Sequence, residues 1–155
     1  MEHDEPTMPD HAWDLPVYRQ MLDACFQTLS TLIPSLPSDA ESHLVAGLAR
    51  SCQRIPDLIS LGVATWQSPQ RFPYLDLAVR ECHDMIQRMR YCEHTHGDSL
   101  DRPVAARLIQ GYEQAVKELR ALTAQTPPRS RPLETPVPAR PAERMAGRMT
   151  LGMQS

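Results

Sequence analysis

The chain has 155 residues, of which 41% are hydrophobic and 5% aromatic, and its formal net charge is −3. A charge this close to neutral excludes a general attraction to nucleic acid or to anionic membranes. No apolar run approaches the roughly 18 residues that a transmembrane helix needs, and the acidic N-terminus lacks the features of a secretion signal. We therefore expect a cytoplasmic protein with one folded domain, no membrane partner and four reduced cysteines.

Residues 1–13 are the first predicted segment. They contain four acidic residues, two prolines and no Lys or Arg, a composition typical of a flexible arm. Asp14 is placed to cap the first helix, with Pro16 in its opening turn. The helix is expected to end at the Pro34–Pro37 turn. Spacings of three and four residues predict one buried face on this helix, formed by Val17, Met21, Leu22, Cys25, Leu29 and Leu32.

The second helix has the clearest predicted start. Ser38 and Glu41 have the spacing of a capping box, in which each side chain bonds the backbone of the other. Pro56 removes a helical hydrogen bond and should kink or break the helix near residues 52–55. Gly62 either allows close approach of another helix or ends this one. The predicted buried face contains Leu44, Leu48, Cys52, Ile55 and Ile59.

The third helix is predicted to start at Ser68-Pro69 and to run to about Cys92. Arg80, Asp84 and Arg88 fall four residues apart on its exposed side, where they can pair along the surface. Its predicted buried face contains Leu75, Ala78, Cys82, Met85 and Met89.

The fourth helix is predicted to start around Asp101-Arg102-Pro103. Glu113 and Lys117 are spaced for an ion pair along it. Its predicted buried face contains Val104, Leu108, Tyr112, Ala115, Leu119 and Leu122.

The last segment, residues 124–155, contains five Arg and two Glu among many prolines. This composition is typical of a disordered or polyproline-like tail. Residues 14–123 therefore form the predicted folded domain. Four helices with short connections predict an all-α fold, an antiparallel up-down-up-down four-helix bundle.

Several short segments of this domain are similar to one family of four-helix bundles. That family includes the protein encoded in intervening sequences of ribosomal RNA genes and the accessory variability determinant of diversity-generating retroelements. The resemblance covers roughly 110 residues, the size of a single domain. The residues that carry it are Val17-Tyr18-Arg19, Leu36-Pro37, Arg50-Ser51, Ile55-Pro56, Leu58-Ile59, Gly62, Phe72, Tyr74-Leu75, Ala78 and Lys117-Glu118-Leu119.

The resemblance to the retroelement group implies a protein with no catalytic residues and no cofactor. Such a protein would assemble as a symmetric homo-oligomer, typically a pentamer. It would bind the reverse transcriptase of the retroelement and its template RNA, and so support mutagenic cDNA synthesis. The alternative is a stand-alone structural or regulatory bundle that acts only through protein–protein contacts, as the intervening-sequence relatives would.

Arginines of the central helices are the candidate contacts to RNA or to a protein partner. A ring would repeat them by symmetry and build a basic surface from nearly neutral chains, with salt-dependent binding. The alternative is a solvated face neutralised by Asp57, Asp76, Glu81 and Asp84. The Arg-Pro tail is either a second contact or a linker. The candidate arginines are Arg50, Arg54, Arg71, Arg80, Arg88 and Arg90.

Three aromatic residues, Trp66, Phe72 and Tyr74, surround the connection between helices 2 and 3. Aromatic side chains at such a place can stack on bases, close the end of a bundle, or form a subunit contact. In a bundle with an aliphatic interior, we expect them to form an oligomer contact.

Metal and catalytic chemistry are not expected. Cys92, His94 and His96 form one cluster, with Cys82 or His83 as the only further candidates, whereas zinc sites usually combine two separated ligand pairs. The sequence has no Gly-rich phosphate loop and no nucleophile elbow. The other cysteines occupy predicted core positions, where thiols are typically inert.

Overall fold

The structure, a computed structural model, describes residues 9–125. Every regular element in this range is helical. After a 3-10 turn, Ala12–Asp14, helix α1 comprises three consecutive segments: the α-helix Pro16–Gln27, the π-helix Thr28–Leu32 and a last α-helical turn, Ile33–Ser35. Helix α2 is Ser42–Ala64, α3 is Arg71–Thr95 and α4 is Arg102–Ala124. The predicted tail after residue 125 and most of the predicted arm lie outside the described residues.

The helices pack around one shared core, which confirms the predicted all-helical bundle. Helix α3 contacts both α2 and α4 extensively, while α1 packs against α2 and α4. Almost all predicted core positions are buried, including every one predicted for α2 and α3. None of the helices in residues 9–125 combines the length and the apolar character required to cross a membrane.

Two predicted helix caps are wrong. Glu41 is the N-cap residue of α2, but its side chain makes no cap hydrogen bond, so the capping box with Ser38 does not form. The carboxylate instead accepts hydrogen bonds from Tyr91 of α3 and from His96, the residue that follows α3. Asp14 accepts from backbone N–H groups at the 3-10 turn, and Leu15 is the N-cap of α1. In both cases the carboxylate accepts hydrogen bonds from donors other than those of the predicted cap.

The other two helix starts follow the sequence more closely. The Asp101 side chain accepts from the Val104 N–H at 3.3 Å, as expected of a cap at the start of α4. Ser68 accepts from the Gln70 N–H at 3.0 Å. That bond belongs to the turn before α3, and the helix itself begins two residues later than predicted, at Arg71 rather than at Pro69.

Helix α2 continues through Pro56, so the predicted break does not occur. Pro56 and its neighbour Ile55 are both buried against the core, and this packing retains the helix despite one missing hydrogen bond. Gly62 lies inside the helix. A Cβ atom at Gly62 would lie 2.7 Å from Cδ2 of Leu75, so the glycine permits close approach of α3.

One core prediction for α1 is wrong. Leu29, predicted to be buried, is 43% exposed, and Thr28 is fully buried instead. Thr28 follows the buried residues Met21, Ala24 and Cys25 by seven, four and three positions, so helical spacing places it on the buried face, and Leu29, the next residue, points away from that face. The Thr28 hydroxyl donates to the Ala24 carbonyl at 2.8 Å and lies 3.0 Å from the Tyr112 hydroxyl of α4. A polar pair thus lies within the apolar core.

The two glycines Gly62 and Gly111 allow a matched test of this packing. A Cβ atom at Gly111 would meet nothing within 4 Å, so Gly111→Ala should raise the free energy of unfolding by about 0.5–1 kcal/mol through helix propensity. Gly62→Ala gains the same propensity but pushes against buried Leu75, so it should lower the free energy of unfolding. Urea denaturation of the two variants measures both effects. Equal stabilisation by both substitutions would contradict the close approach at Gly62.

A second prediction concerns the buried polar pair. Tyr112→Phe should lower the free energy of unfolding by about 1 kcal/mol, because the Thr28 hydroxyl loses one hydrogen-bonding partner. Tyr18→Phe is the control, since the half-buried Tyr18 hydroxyl makes no hydrogen bond within the described residues. Denaturation in urea should separate the two variants, and equal losses would show that the pair contributes nothing.

Candidate functional site: the arginine cluster of α2 and α3

A hydrogen-bonded network joins α2 to α3 near the middle of both helices. The Glu81 carboxylate of α3 accepts from the Ser51 hydroxyl at 2.8 Å and forms an ion pair with Arg54 at 2.9 Å, both on α2. Arg88, two turns after Glu81, donates to the Ser51 hydroxyl at 3.3 Å. We call Arg50, Arg54 and Arg88 the arginine cluster.

Local spacing explains why these side chains meet. Residues three or four apart on a helix share a face, so Arg50, Ser51 and Arg54 lie along the side of α2 next to α3. Gly47, one turn before Ser51, makes room for the long Arg88 side chain, because a Cβ atom there would lie 2.6 Å from the Arg88 Nε. Gly47 and Ser51 were not among the predicted site residues. Each lies three residues before a candidate arginine, Arg50 or Arg54, and this spacing is the sequence feature that could have identified them.

The cluster brings three guanidinium groups near one carboxylate, Glu81, and of the three it is Arg54 that contacts this carboxylate. Arg54 is about half exposed, whereas its partner Glu81 is largely buried. Arg50 is exposed one turn before Arg54. Asp57 and Asp84, also exposed, lie elsewhere on the same two helices. Guanidinium groups with free N–H donors suit bidentate contacts to phosphate or carboxylate.

The other three candidate arginines have different surroundings. Arg80 lies 3.9 Å from Asp76 on the same helix, rather than pairing with Asp84 as predicted. Arg90 contacts Glu113 of α4 at 2.7 Å, and this contact replaces the predicted pair between Glu113 and Lys117. Because Arg88 and Arg90 are two residues apart, they project to different sides of α3. The structure therefore does not unite all six arginines on one surface.

Arg71, the sixth candidate, is only 3% exposed. Its guanidinium carbon lies 4.5 Å from the ring centroid of Trp66 and 4.7 Å from that of Phe72. It also donates to the Trp66 carbonyl at 2.9 Å. Burial lowers the pKa of Arg71. This stacked arrangement closes one end of the bundle.

The same arrangement locates the predicted aromatic contact. Trp66 is buried in the core of the single chain, so its ring serves end closure. Phe72 and Tyr74 are half-buried, and Tyr74 packs against the core. An oligomer contact at this end therefore depends on the exposed parts of Phe72 and Tyr74 and remains a prediction.

A second cluster ties the start of α2 to the end of α3. The Glu41 carboxylate accepts from the Tyr91 hydroxyl at 2.5 Å and lies 2.9 Å from Nε2 of His96. Hydrogen bonds from Tyr91 and then His96 lower the pKa of Glu41 to about 2. Among residues 9–125 no group of three or more His, Cys, Asp or Glu side chains could hold a metal ion.

All four cysteines are buried. Burial raises the pKa of Cys82 to about 12 and that of Cys92 to about 11. Both thiols therefore stay protonated at neutral pH, although the thiolate is the nucleophilic form.

The Glu41 cluster gives a pH-dependent prediction. Since the Glu41 pKa falls from 4.5 to about 2 on folding, its contribution to stability is present above pH 4.5 and is lost as the pH falls towards 2. Glu41→Gln should therefore be less stable than the natural chain at pH 7, and this difference should shrink below pH 4.5. Thermal unfolding followed by circular dichroism across this range tests it. Glu93→Gln, at the same end of α3, is the control; an unchanged difference at all pH values would contradict the assignment.

The chain was compared with protein-family models, with curated proteins and with solved structures, and none of the three comparisons finds a match. The resemblance to the bundle family therefore remains a prediction from the residues that carry it.

Proposed function

We propose that this protein is a non-enzymatic, oligomeric accessory protein of a diversity-generating retroelement. In this role it binds the reverse transcriptase and its template RNA in the cytoplasm and supports mutagenic cDNA synthesis. The observation that carries the proposal is the arginine cluster on the α2–α3 face, in which Arg54 pairs with Glu81, Arg88 donates to the Ser51 hydroxyl and Arg50 is exposed one turn before Arg54.

The proposed architecture is the antiparallel up-down-up-down bundle of this family. Contacts between helix ends support it. Glu41 before α2 meets His96 after α3, and Gly62 near the end of α2 meets Leu75 near the start of α3. The Ser35 hydroxyl at the end of α1 accepts from the Asp101 N–H just before α4.

The chemistry of the cluster supports an anionic partner. Arginine presents five N–H donors in a rigid fork that matches phosphate oxygens. The pair with Glu81 occupies part of the Arg54 fork, and Arg50 is exposed and makes no ion pair within residues 9–125. A symmetric ring would repeat the cluster once in each subunit, so a modest local excess of positive charge would become a larger surface.

The absence of catalytic chemistry is also part of the proposal. Protonated, buried thiols fit a binding protein better than a thiol enzyme. The side chains of Ser51, Glu81 and Arg88 are engaged in holding α2 and α3 together.

The second candidate function is a structural or regulatory bundle that acts only through protein contacts. The observation that favours it is the internal pairing of the candidate arginines. Arg54, Arg80 and Arg90 each face a carboxylate of the same chain, which leaves less positive charge for a phosphate backbone.

Charge reversal tests the cluster directly. Arg50→Glu combined with Arg54→Glu should weaken binding to a fluorescently labelled single-stranded RNA by about ten-fold or more and reduce the salt dependence of the dissociation constant, because two phosphate contacts are lost. Anisotropy titrations at several salt concentrations measure both quantities, and circular dichroism checks that the helices persist. The same variant should also lose the reverse transcriptase in a pull-down with purified components.

Arg107→Glu combined with Arg120→Glu on α4 is the matched control, since it reverses two exposed arginines outside the cluster and changes the net charge by the same amount. Loss of RNA binding only in the cluster variant supports the proposal. Unchanged binding to both partners would remove the cluster from the site. If the natural chain binds no RNA and the cluster variant loses a protein partner, the second function is favoured.

A further inference from the structure

Helix α1 carries an exposed apolar surface that the proposed function does not use. Of the six large hydrophobic residues that are exposed in the described part of the chain, three lie on α1 or just before it: Trp13, Phe26 and Leu29. Phe26 is the most exposed of the six, at 67%. Such a concentration on one helix is typical of an interaction surface.

Five side chains form this surface, which we call the α1 stripe: Leu15, Tyr18, Leu22, Phe26 and Leu29. Tyr18, Leu22 and Phe26 are spaced four residues apart in the α-helical part of α1 and therefore lie along one flank of it, with the N-cap residue Leu15 before them and Leu29 of the π-helical segment after them. Leu15, Tyr18 and Leu22 are half-buried, and only the first two pack against the core. The stripe runs beside the buried face that includes Val17, Met21 and Cys25.

The spacing of the stripe reads the same in both directions, with Leu22 at its centre. Within the regular α-helical part, a second copy of α1 that lies antiparallel to the first would therefore place Leu22 against Leu22 and Tyr18 against Phe26. Each partner would present the same patch, which is the defining property of an isologous contact. Aromatic rings facing each other would add to the buried apolar area.

The charges beside the stripe are complementary in the same arrangement. Arg19 and Asp23 are exposed and lie on the same side of the stripe. Because Arg19 precedes the central Leu22 by three residues and Asp23 follows it by one, antiparallel pairing brings Arg19 within about 3 Å, along the helix axis, of Asp23 in the second copy. An opposite-charge pair would then form twice.

The intrachain contacts of these two residues leave room for such a pair. One nitrogen of Arg19 donates to the Trp13 carbonyl, and one oxygen of Asp23 accepts from Gln27. The other guanidinium nitrogens of Arg19 and the second carboxylate oxygen of Asp23 make no further hydrogen bond within residues 9–125, and both residues are exposed. Because Arg19 and Asp23 cancel in charge, the stripe has no net attraction for nucleic acid or for an anionic lipid surface.

We propose that the α1 stripe is a two-fold contact between two copies of this chain. The contact is independent of the arginine cluster and does not require the proposed function. It also differs from the contacts of a five-membered ring, which join two unlike patches. In a ring, the stripe would join one ring to another.

The mass of the full chain, measured by light scattering behind a sizing column, tests the contact. The natural chain should form dimers, or pairs of rings, whose mass halves in Phe26→Asp. The substitution leaves the core intact because Phe26 is largely exposed. Leu61→Asp, at an exposed leucine of α2, is the matched control and should leave the mass unchanged.

A charge exchange tests the register. Arg19→Asp and Asp23→Arg should each weaken dimerisation by about ten-fold or more, since each places like charges against one another. The double variant should restore it. Leu22→Cys should form a covalent dimer under mild oxidation, whereas Leu61→Cys should not, and the native cysteines are buried.

Three results would overturn the inference: a monomeric natural chain, an oligomer that persists unchanged in Phe26→Asp, or single charge variants that dimerise as well as the double variant. If the natural chain forms a single five-copy oligomer and Phe26→Asp has the same mass, the contact through the stripe is overturned and the proposed function still stands. Loss of RNA binding in the cluster variant, with dimers retained, would support both proposals separately.

Discussion

The close approach of α2 and α3 is the constraint on which the rest of the structure depends. Gly62 provides the space for Leu75 at one end of this contact, and Glu41 receives Tyr91 and His96 at the other. Between them, Gly47 makes room for Arg88. Where two helices approach this closely, side chains that would otherwise be separate surface groups come within hydrogen-bonding distance, and polar groups at the contact must find partners.

This constraint gives the arginines of α2 and α3 two competing uses. A guanidinium group that pairs with a carboxylate of its own chain stabilises the helix contact but offers fewer donors to a phosphate. Arg54 shows the competition most directly, because Glu81 occupies part of its fork while half of the side chain stays exposed. Arg71 is fully committed to packing. Binding by this protein therefore depends on which arginines the fold leaves accessible, rather than on their number.

Helix α1 connects the core to the surface. Helical spacing from Met21, Ala24 and Cys25 places Thr28 inside, next to Tyr112, and leaves Leu29 outside. The Thr28 hydroxyl donates to the Ala24 carbonyl of its own helix, and the Tyr112 hydroxyl of α4 is its second partner in the core. Leu29 extends the apolar stripe on the outer flank of the helix. Two adjacent residues of α1 thus provide a polar contact in the interior and part of an exposed apolar surface.

The sequence by itself determined the number of helices, their approximate ends and nearly all of the core, because a buried helix face imposes a spacing of three and four residues wherever it occurs. It also determined where α4 starts, since Asp101 and the Val104 N–H are close in the chain. Only the tertiary structure decided the partners of Glu41 and Glu113 and the burial of Arg71. Ser38 and Lys117 lie near these two glutamates in the sequence, but the carboxylates pair with Tyr91, His96 and Arg90 instead. The Trp66 and Phe72 rings lie close to Arg71 in the chain, but the closure of the bundle end decides that its guanidinium group is buried. Local spacing carries no information about either outcome.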